Sequence, residues 1–313
     1  MKSITTLPAI HTKESFAPHK LGITAKVCLL FFICAFTSTT VVAAPTVTAP
    51  TVAASIRPLQ LIAAAITDGI SQPQLVLGKG QDPHHASLRP SERRTLNDAD
   101  VVLWIGPMLE VPLQEIMAEL AGSVLTVQDM PDITLHAIDG NLDPHVWMDS
   151  RNARQIAVQL TQTLANLDPA NSLRYQSNQQ KFLRALDELD TNFKQAVAPV
   201  QQRGWAVYHD AFRYFQRQFG LIQPLAPTES STNQAGIRSI TQLRTAIQQQ
   251  QINCLLIEPV MNPAELQTLL GTDGLHIVSA DVMGLDLTTS PTAYVLLLQN
   301  FGNTLITCLQ GQP

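Results

Sequence analysis

From Ala170 to Ala198 no glycine or proline breaks the chain, and this run governs how everything around it can be arranged. Asp168 reads as an N-cap, and Pro169 suits a first helical turn, where a missing N–H costs nothing. Leu186, Leu189, Phe193, Val197 and Val200 recur at steps of three and four and form one apolar stripe. A helix of about 30 residues spans roughly 45 Å, enough to run behind two lobes. Such a connector is stiffer than a pair of crossing strands, so loop movement is expected in preference to large domain closure.

On either side of this run, short apolar segments alternate with amphipathic ones. Strands are expected at Thr51–Ile56, Gln74–Leu77, Val101–Ile105 and Val124–Val127, with helical patterns at Leu59–Ile66, Pro90–Ala99 and Leu109–Leu120. A further helix is expected over Arg151–Leu164. The second half repeats the rhythm, with strands at Trp205–Tyr208, Leu221–Leu225, Cys254–Ile257 and His276–Ser279. Its helical patterns lie at Phe212–Phe219, Gly236–Gln250, Pro263–Leu270 and Thr292–Leu309. Alternation of this kind predicts the α/β class, with mostly parallel sheets flanked by helices. The boundaries follow: an N-terminal lobe over 45–167, the linking helix over 168–202, and a C-terminal lobe over 203–313.

Residues 1–44 stand apart. Lys20 and Lys26 precede the apolar run Val27–Phe36, and Val41-Val42-Ala43-Ala44 closes it with small residues, the order of a secretory signal. The apolar run is shorter than the about 20 residues a membrane span needs. Cleavage near Ala43 or Ala44 removes four lysines and Glu14, leaving 16 basic against 24 acidic residues and a net charge of −8. That balance argues against nucleic acid or an anionic membrane as partner. Cys28 and Cys34 leave with the signal. Cys254 and Cys308 remain as a lone pair in an oxidising compartment, which predicts a structural disulfide. Closing that loop contributes roughly 4 kcal/mol in the chain-entropy picture.

Three histidines sit in short distinctive phrases: His84 in Asp82-Pro83-His84-His85, His145 in Asp143-Pro144-His145-Val146-Trp147, and His209 in Tyr208-His209-Asp210-Ala211-Phe212. Neutral imidazole is the commonest zinc ligand, and three converging rings make most of a tetrahedral site. In open parallel sheets, ligands bind beyond the carboxyl ends of strands, and all three histidines follow expected strands. Asp281 does as well, directly after the last one, although an aspartate there also caps turns. Glu258 ends a strand, where it is placed to support a ligand or to act at a hinge, and Asp210 adjoins His209, where it is structural or orients His209 or a loop amide. His85, His136 and His276 read as non-ligands, and Arg89 and Trp147 as braces of the cleft.

Taken together, these phrases give the chain a specific likeness. It resembles the solute-binding proteins of metal ABC importers, in particular the periplasmic zinc-binding ZnuA type. The likeness runs through Ser55-Ile56-Arg57-Pro58-Leu59, His84 with Ser87-Leu88-Arg89-Pro90-Ser91, Ala99–Pro107, Asp143–Trp147, His209–Phe215 and Ile257-Glu258-Pro259. It implies two similar lobes joined by one long helix, with the metal held between them. It implies that His84, His145 and His209 are ligands and that Asp281 matches a position supplying a carboxylate in many relatives. It also implies a periplasmic monomer that carries Zn2+ as cargo to an ABC permease and its ATPase, without enzymatic activity.

Two departures bear on the site. Pro83 stands where a carboxylate can adjoin the first histidine, so Asp281 or water is left to complete the shell. Gln128–Gly140 holds one histidine, His136, where zinc members often carry a long histidine- and acid-rich loop. The competing cargo is manganese or iron, but manganese-type relatives carry Glu at the place of His209, and three nitrogens favour zinc. A zinc hydrolase is the competing enzyme, for which no His-Glu-x-x-His segment is present. An adhesion or sensing protein on the same scaffold is the third reading.

Overall fold

The computed structural model describes Ser15 and residues 48–138, 140–227, 236–271 and 274–311. The expected signal over residues 1–44 lies outside the described residues apart from Ser15. Among the described residues no helix is long and apolar enough to cross a membrane.

Two parallel sheets carry the fold. The first contains β1 (Val52–Ala54), β2 (Gln74–Leu75), β3 (Val101–Trp104) and β4 (Ser123–Thr126) in the order β2-β1-β3-β4. All its pairings are parallel, with Val52 opposite Val101 and Val101 opposite Ser123. Between the two sheets in sequence lies a short antiparallel pair, β5 (Ala137–Ile138) with β6 (Asn141–Leu142). The second parallel sheet contains β7 (Ala206–Val207), β8 (Cys254–Ile257) and β9 (His276–Ser279) in chain order. The segment Leu221–Leu225 contributes a single bridge, Leu225 to Ala206, rather than a full strand.

Val101, Val102 and Leu103 are fully buried because helices cover the sheet, the situation that permits an unbroken apolar run in a strand. Helix α1 (Arg57–Ile66) begins with Pro58 in its first turn, and everything after Arg57 in it is buried. The burial is all-round because α1 packs against α4 (Ser150–Leu167), α5 (Ser172–Val197) and α9 (Ala293–Leu309) as well as β1.

Helix α5 is the long connector. A 3-10 turn over Pro169–Asn171 leads into it and another, Ala198–Val200, follows it. Its buried face runs Tyr175, Asn178, Phe182, Leu186, Leu189, Phe193, Val197, the predicted stripe extended toward the N-terminus by about three turns. Asp168 does not cap the helix through a backbone N–H. Its carboxylate instead accepts from the Asn171 side chain at 2.7 Å and the Tyr175 hydroxyl at 3.1 Å, because the 3-10 turn places these donors first. Phe182 meets Tyr294 of α9, while Phe193 meets Phe215 of α6 (Arg213–Gln218) and Phe219 just beyond it. The long helix also packs on α1 and α4 of the N-terminal half, so one helix touches elements from both halves.

The remaining helices are shorter. The predicted helix over Leu109–Leu120 is a 3-10 turn, Val111–Leu113, followed by the five residues of α3 (Gln114–Ala118). Pro112 stands in the first turn of this segment, where its missing N–H is tolerated, so the helical stretch starts there and not at Leu109. Helices α2 (Pro90–Asn97), α7 (Ile237–Gln249) and α8 (Pro263–Leu270) form as predicted. Cys254 of β8 and Cys308 of α9 form the disulfide, with Cα atoms 5.4 Å apart.

Candidate metal centre

Each of the three histidines is set by a local device. His84 sits on a 3-10 turn, Pro83–His85, whose preceding residue Asp82 accepts the His84 backbone N–H at 2.9 Å. The other oxygen of Asp82 holds the exposed His85 ring at 2.7 Å, which keeps that ring on the surface. His145 follows Asp143-Pro144. The buried Asp143 carboxylate accepts both its backbone N–H, at 3.0 Å, and its Nδ1, at 2.8 Å. His209 lies just beyond the carboxyl end of β7, and its Nδ1 is 3.1 Å from Glu258 Oε1. Glu258 follows β8 directly, so neighbouring strand ends deliver both partners.

These devices bring the rings together. Ligand atoms of His84, His145 and His209 all lie within 4.8 Å of one another. The ring centroids are 5.8 Å apart for His84 and His145, 6.1 Å for His84 and His209, and 4.9 Å for His145 and His209. An ion centred among three ligand atoms no more than 4.8 Å apart is about 2.8 Å or less from each nitrogen, against a zinc–nitrogen bond of about 2.0–2.1 Å.

Burial and charge tune the rings differently. Burial, reinforced by repulsion from His145, pushes His84 down to about 4, so this ring stays neutral. Burial opposes a charge on His209 as well, but the hydrogen bond and charge of Glu258 outweigh it and hold His209 above the usual imidazole value. Burial likewise works to raise Glu258, and His209 outweighs it, so the carboxylate titrates below its ordinary range. Asp143 Oδ2 and Asp210 Oδ1 are buried and find no hydrogen-bond donor among the described residues. Buried anionic oxygens of this kind favour a cation nearby.

The triad opens on a cavity of about 870 Å³ whose lining includes Arg57, Trp147, Tyr208, Glu258 and Asp281. Asp281 is held in a turn. Its Oδ1 accepts backbone N–H groups of Met283 and Gly284 at 2.9 and 2.8 Å, and its Oδ2 accepts that of Leu285 at 2.7 Å. Gly284 adopts a φ of +69° there, and a Cβ would come within 2.9 Å of Leu61. An ionised carboxylate offers about four acceptor positions, so three backbone donors leave Asp281 one. It lines the cavity without joining the cluster of three nitrogens.

The other residues singled out from the sequence find definite places. Trp147 braces the site, donating its indole N–H to the Val282 carbonyl at 2.9 Å. Arg89 is instead exposed beside Glu92, whose carboxylate accepts its backbone N–H and closes the first turn of α2. Asp210 does not hold His209; its Oδ2 takes the Arg213 guanidinium at 2.6 and 3.0 Å. His136 packs on Tyr214 and lies 3.0 Å from Arg217, outside the triad. The role of Asp143 is missing from the expectations drawn from the sequence, although its place two residues before His145, across a proline, is a local signal for it.

Comparison with known proteins places the chain in a family. The family described as zinc-uptake complex component A, periplasmic, matches residues 52–308. The chain is 29% identical over 290 residues to the high-affinity zinc uptake system protein ZnuA of Yersinia pestis, covering 83% of this chain and 91% of that one. Among solved structures, the periplasmic zinc binding protein TroA from Treponema pallidum superposes with a TM-score of 0.73 at 23% identity, covering 83% of this chain and 99% of that one. A ZnuA deletion mutant with zinc bound gives 0.73 at 21% identity, covering 85% and 100%. Both share the fold.

Proposed function

The chain belongs to the periplasmic ZnuA family of zinc-uptake components, and from that premise we propose that it captures Zn(II) on His84, His145 and His209. One observation carries the reading: three imidazoles, from the 3-10 turn after β2, the loop after β6 and the residues just beyond β7, converge to within 4.8 Å of one another. Three nitrogen donors suit zinc better than manganese, which prefers oxygen. An oxygen donor completes the shell, either the remaining acceptor position of Asp281 or water. The protein acts in the periplasm after removal of residues 1–44, as a monomer with lobes over 45–167 and 203–313. It delivers the ion to an ABC permease driven by its ATPase.

Capture is favoured over hydrolysis by the state of the nearby carboxylates. Asp143 and Glu258 each hold a histidine ring, so neither stands free as a general base beside an open coordination place. The test is competitive titration of the metal-stripped mature protein with zinc, manganese and iron(II). One-to-one binding that prefers zinc and is weakened at least a hundredfold by His209→Ala supports the proposal. Tighter manganese binding, or indifference to the substitution, overturns it. In the same assay Asp281→Asn distinguishes the fourth donor: a loss of affinity assigns it to Asp281, and no change assigns it to water.

A further inference from the structure

The three histidines are not held alike. His145 Nδ1 is fixed by Asp143 at 2.8 Å, with the carboxylate fully buried. His209 Nδ1 is fixed by Glu258 at 3.1 Å, with both side chains about four-fifths buried. The His84 ring has no hydrogen bond among the described residues. Only its backbone N–H is tied, to Asp82. The two carboxylates come from unrelated places, one from the loop before α4 and one from the end of β8, yet they make the same contact on the same ring atom.

A neutral imidazole carries one N–H, and the acceptor it faces decides which nitrogen bears it. A carboxylate on Nδ1 places the proton there and leaves the Nε2 lone pair for a metal. We infer that Asp143 and Glu258 are a matched pair of positioning residues that preset His145 and His209 as Nε2 donors in the metal-free protein, whereas His84 adopts its donor form only when the ion arrives. Because each carboxylate also brings a negative charge beside the cation, the pair balances the charge that three neutral imidazoles leave uncompensated. Zinc thus meets two prepared ligands first and engages His84 last. This inference rests on the proposed zinc-capture site, but its first consequence concerns the apo protein alone.

The experiment is nitrogen-15 NMR of histidine-labelled, metal-free mature protein at about pH 8.5, where imidazoles are neutral. His145 and His209 are expected to show a single Nδ1–H form, and His84 an average of both forms. Glu258→Ala should convert His209 to an averaged form and raise the zinc dissociation constant 10–100-fold. Glu258→Gln retains an acceptor oxygen, so it should keep the Nδ1–H form and lose less affinity. Asp143→Asn is the corresponding variant at the buried position, chosen because it also keeps an acceptor for the His145 backbone. An unchanged His209 signature and an affinity within twofold in Glu258→Ala overturn the inference. So does a single fixed form for His84 in the parent protein. Failure of the zinc-capture reading looks different: all three His→Ala variants then bind zinc normally, whatever the apo spectra show.

Discussion

The indole N–H of Trp147 donates to the carbonyl of Val282 at 2.9 Å, joining the residue two beyond His145 to the residue after Asp281. The Trp147 carbonyl in turn accepts the Tyr294 hydroxyl at 2.5 Å. A fully buried ring thereby ties segments 135 positions apart and holds the Asp281 turn against the site. Trp147→Phe keeps most of the ring but strands a buried carbonyl, at a cost of about 1–3 kcal/mol. Urea unfolding should register that loss, and hydrogen exchange at the amides of Met283, Gly284 and Leu285 should quicken. An unchanged unfolding midpoint would show that the contact holds nothing.

Zinc binding should weaken on acidification, and His209 should set the onset. Glu258 holds the His209 pKa above the ordinary value, so as pH falls His209 takes up a second proton earlier than a free imidazole does and zinc must then displace it, while His84, pushed down to about 4, takes up none until far lower pH. Apparent affinity is therefore steady at high pH and falls as pH drops through the raised His209 pKa, beginning above about 6.5. Each competing proton costs up to about tenfold per pH unit. Competition with a chelator between pH 8 and pH 5 measures this, and a flat profile would contradict it. Glu258→Gln should move the onset to lower pH.

Glu110 adds a pH dependence of stability. Its carboxylate is buried, accepts from Ser55 and from the backbone N–H groups of Ile105 and Gly106 at 3.1 Å, and is nevertheless pushed up by burial to about 7. Below about pH 4.5 both folded and unfolded chains hold the proton and nothing is lost. Between there and pH 7 the unfolded chain ionises first, so stability declines as pH rises, by about 3 kcal/mol at most, and then levels off. Denaturant unfolding of the parent and Glu110→Gln across that window should show the slope reduced in the variant.

Gly302 lets α9 cross α5 closely. A Cβ there would lie 2.3 Å from Phe193 Cζ, and Phe193 is wedged between Phe215 and Phe219, so it cannot yield freely. Gly302→Ala should destabilise by about 1–3 kcal/mol despite the better helix propensity of alanine. A stabilised variant in thermal unfolding would refute the close packing.

The disulfide should serve stability alone. Cys254 begins β8 and Glu258 follows its other end, roughly 13 Å away at strand rise. Replacing both cysteines by serine should lower stability by about 2–5 kcal/mol and leave zinc affinity within twofold, as calorimetry on both forms would reveal. A large loss of affinity would mean that the bridge shapes the site.

The sequence by itself determined what depends on neighbours along the chain. The α5 stripe was legible because a helix brings residues three and four apart onto one face. The parallel sheets were legible as apolar runs alternating with helices, and the three histidine phrases stood out because each carries its own local frame. Tertiary structure alone decided what depends on distant partners. It placed Glu258 rather than Asp210 on His209, reduced Leu221–Leu225 to one bridge, and turned the Asp281 carboxylate onto three backbone N–H groups. The physical reason is that hydrogen-bond acceptors are claimed by whichever donors packing brings nearest, and packing joins segments dozens to hundreds of residues apart. Periodicity fixes a face, but only the folded chain fixes what that face meets.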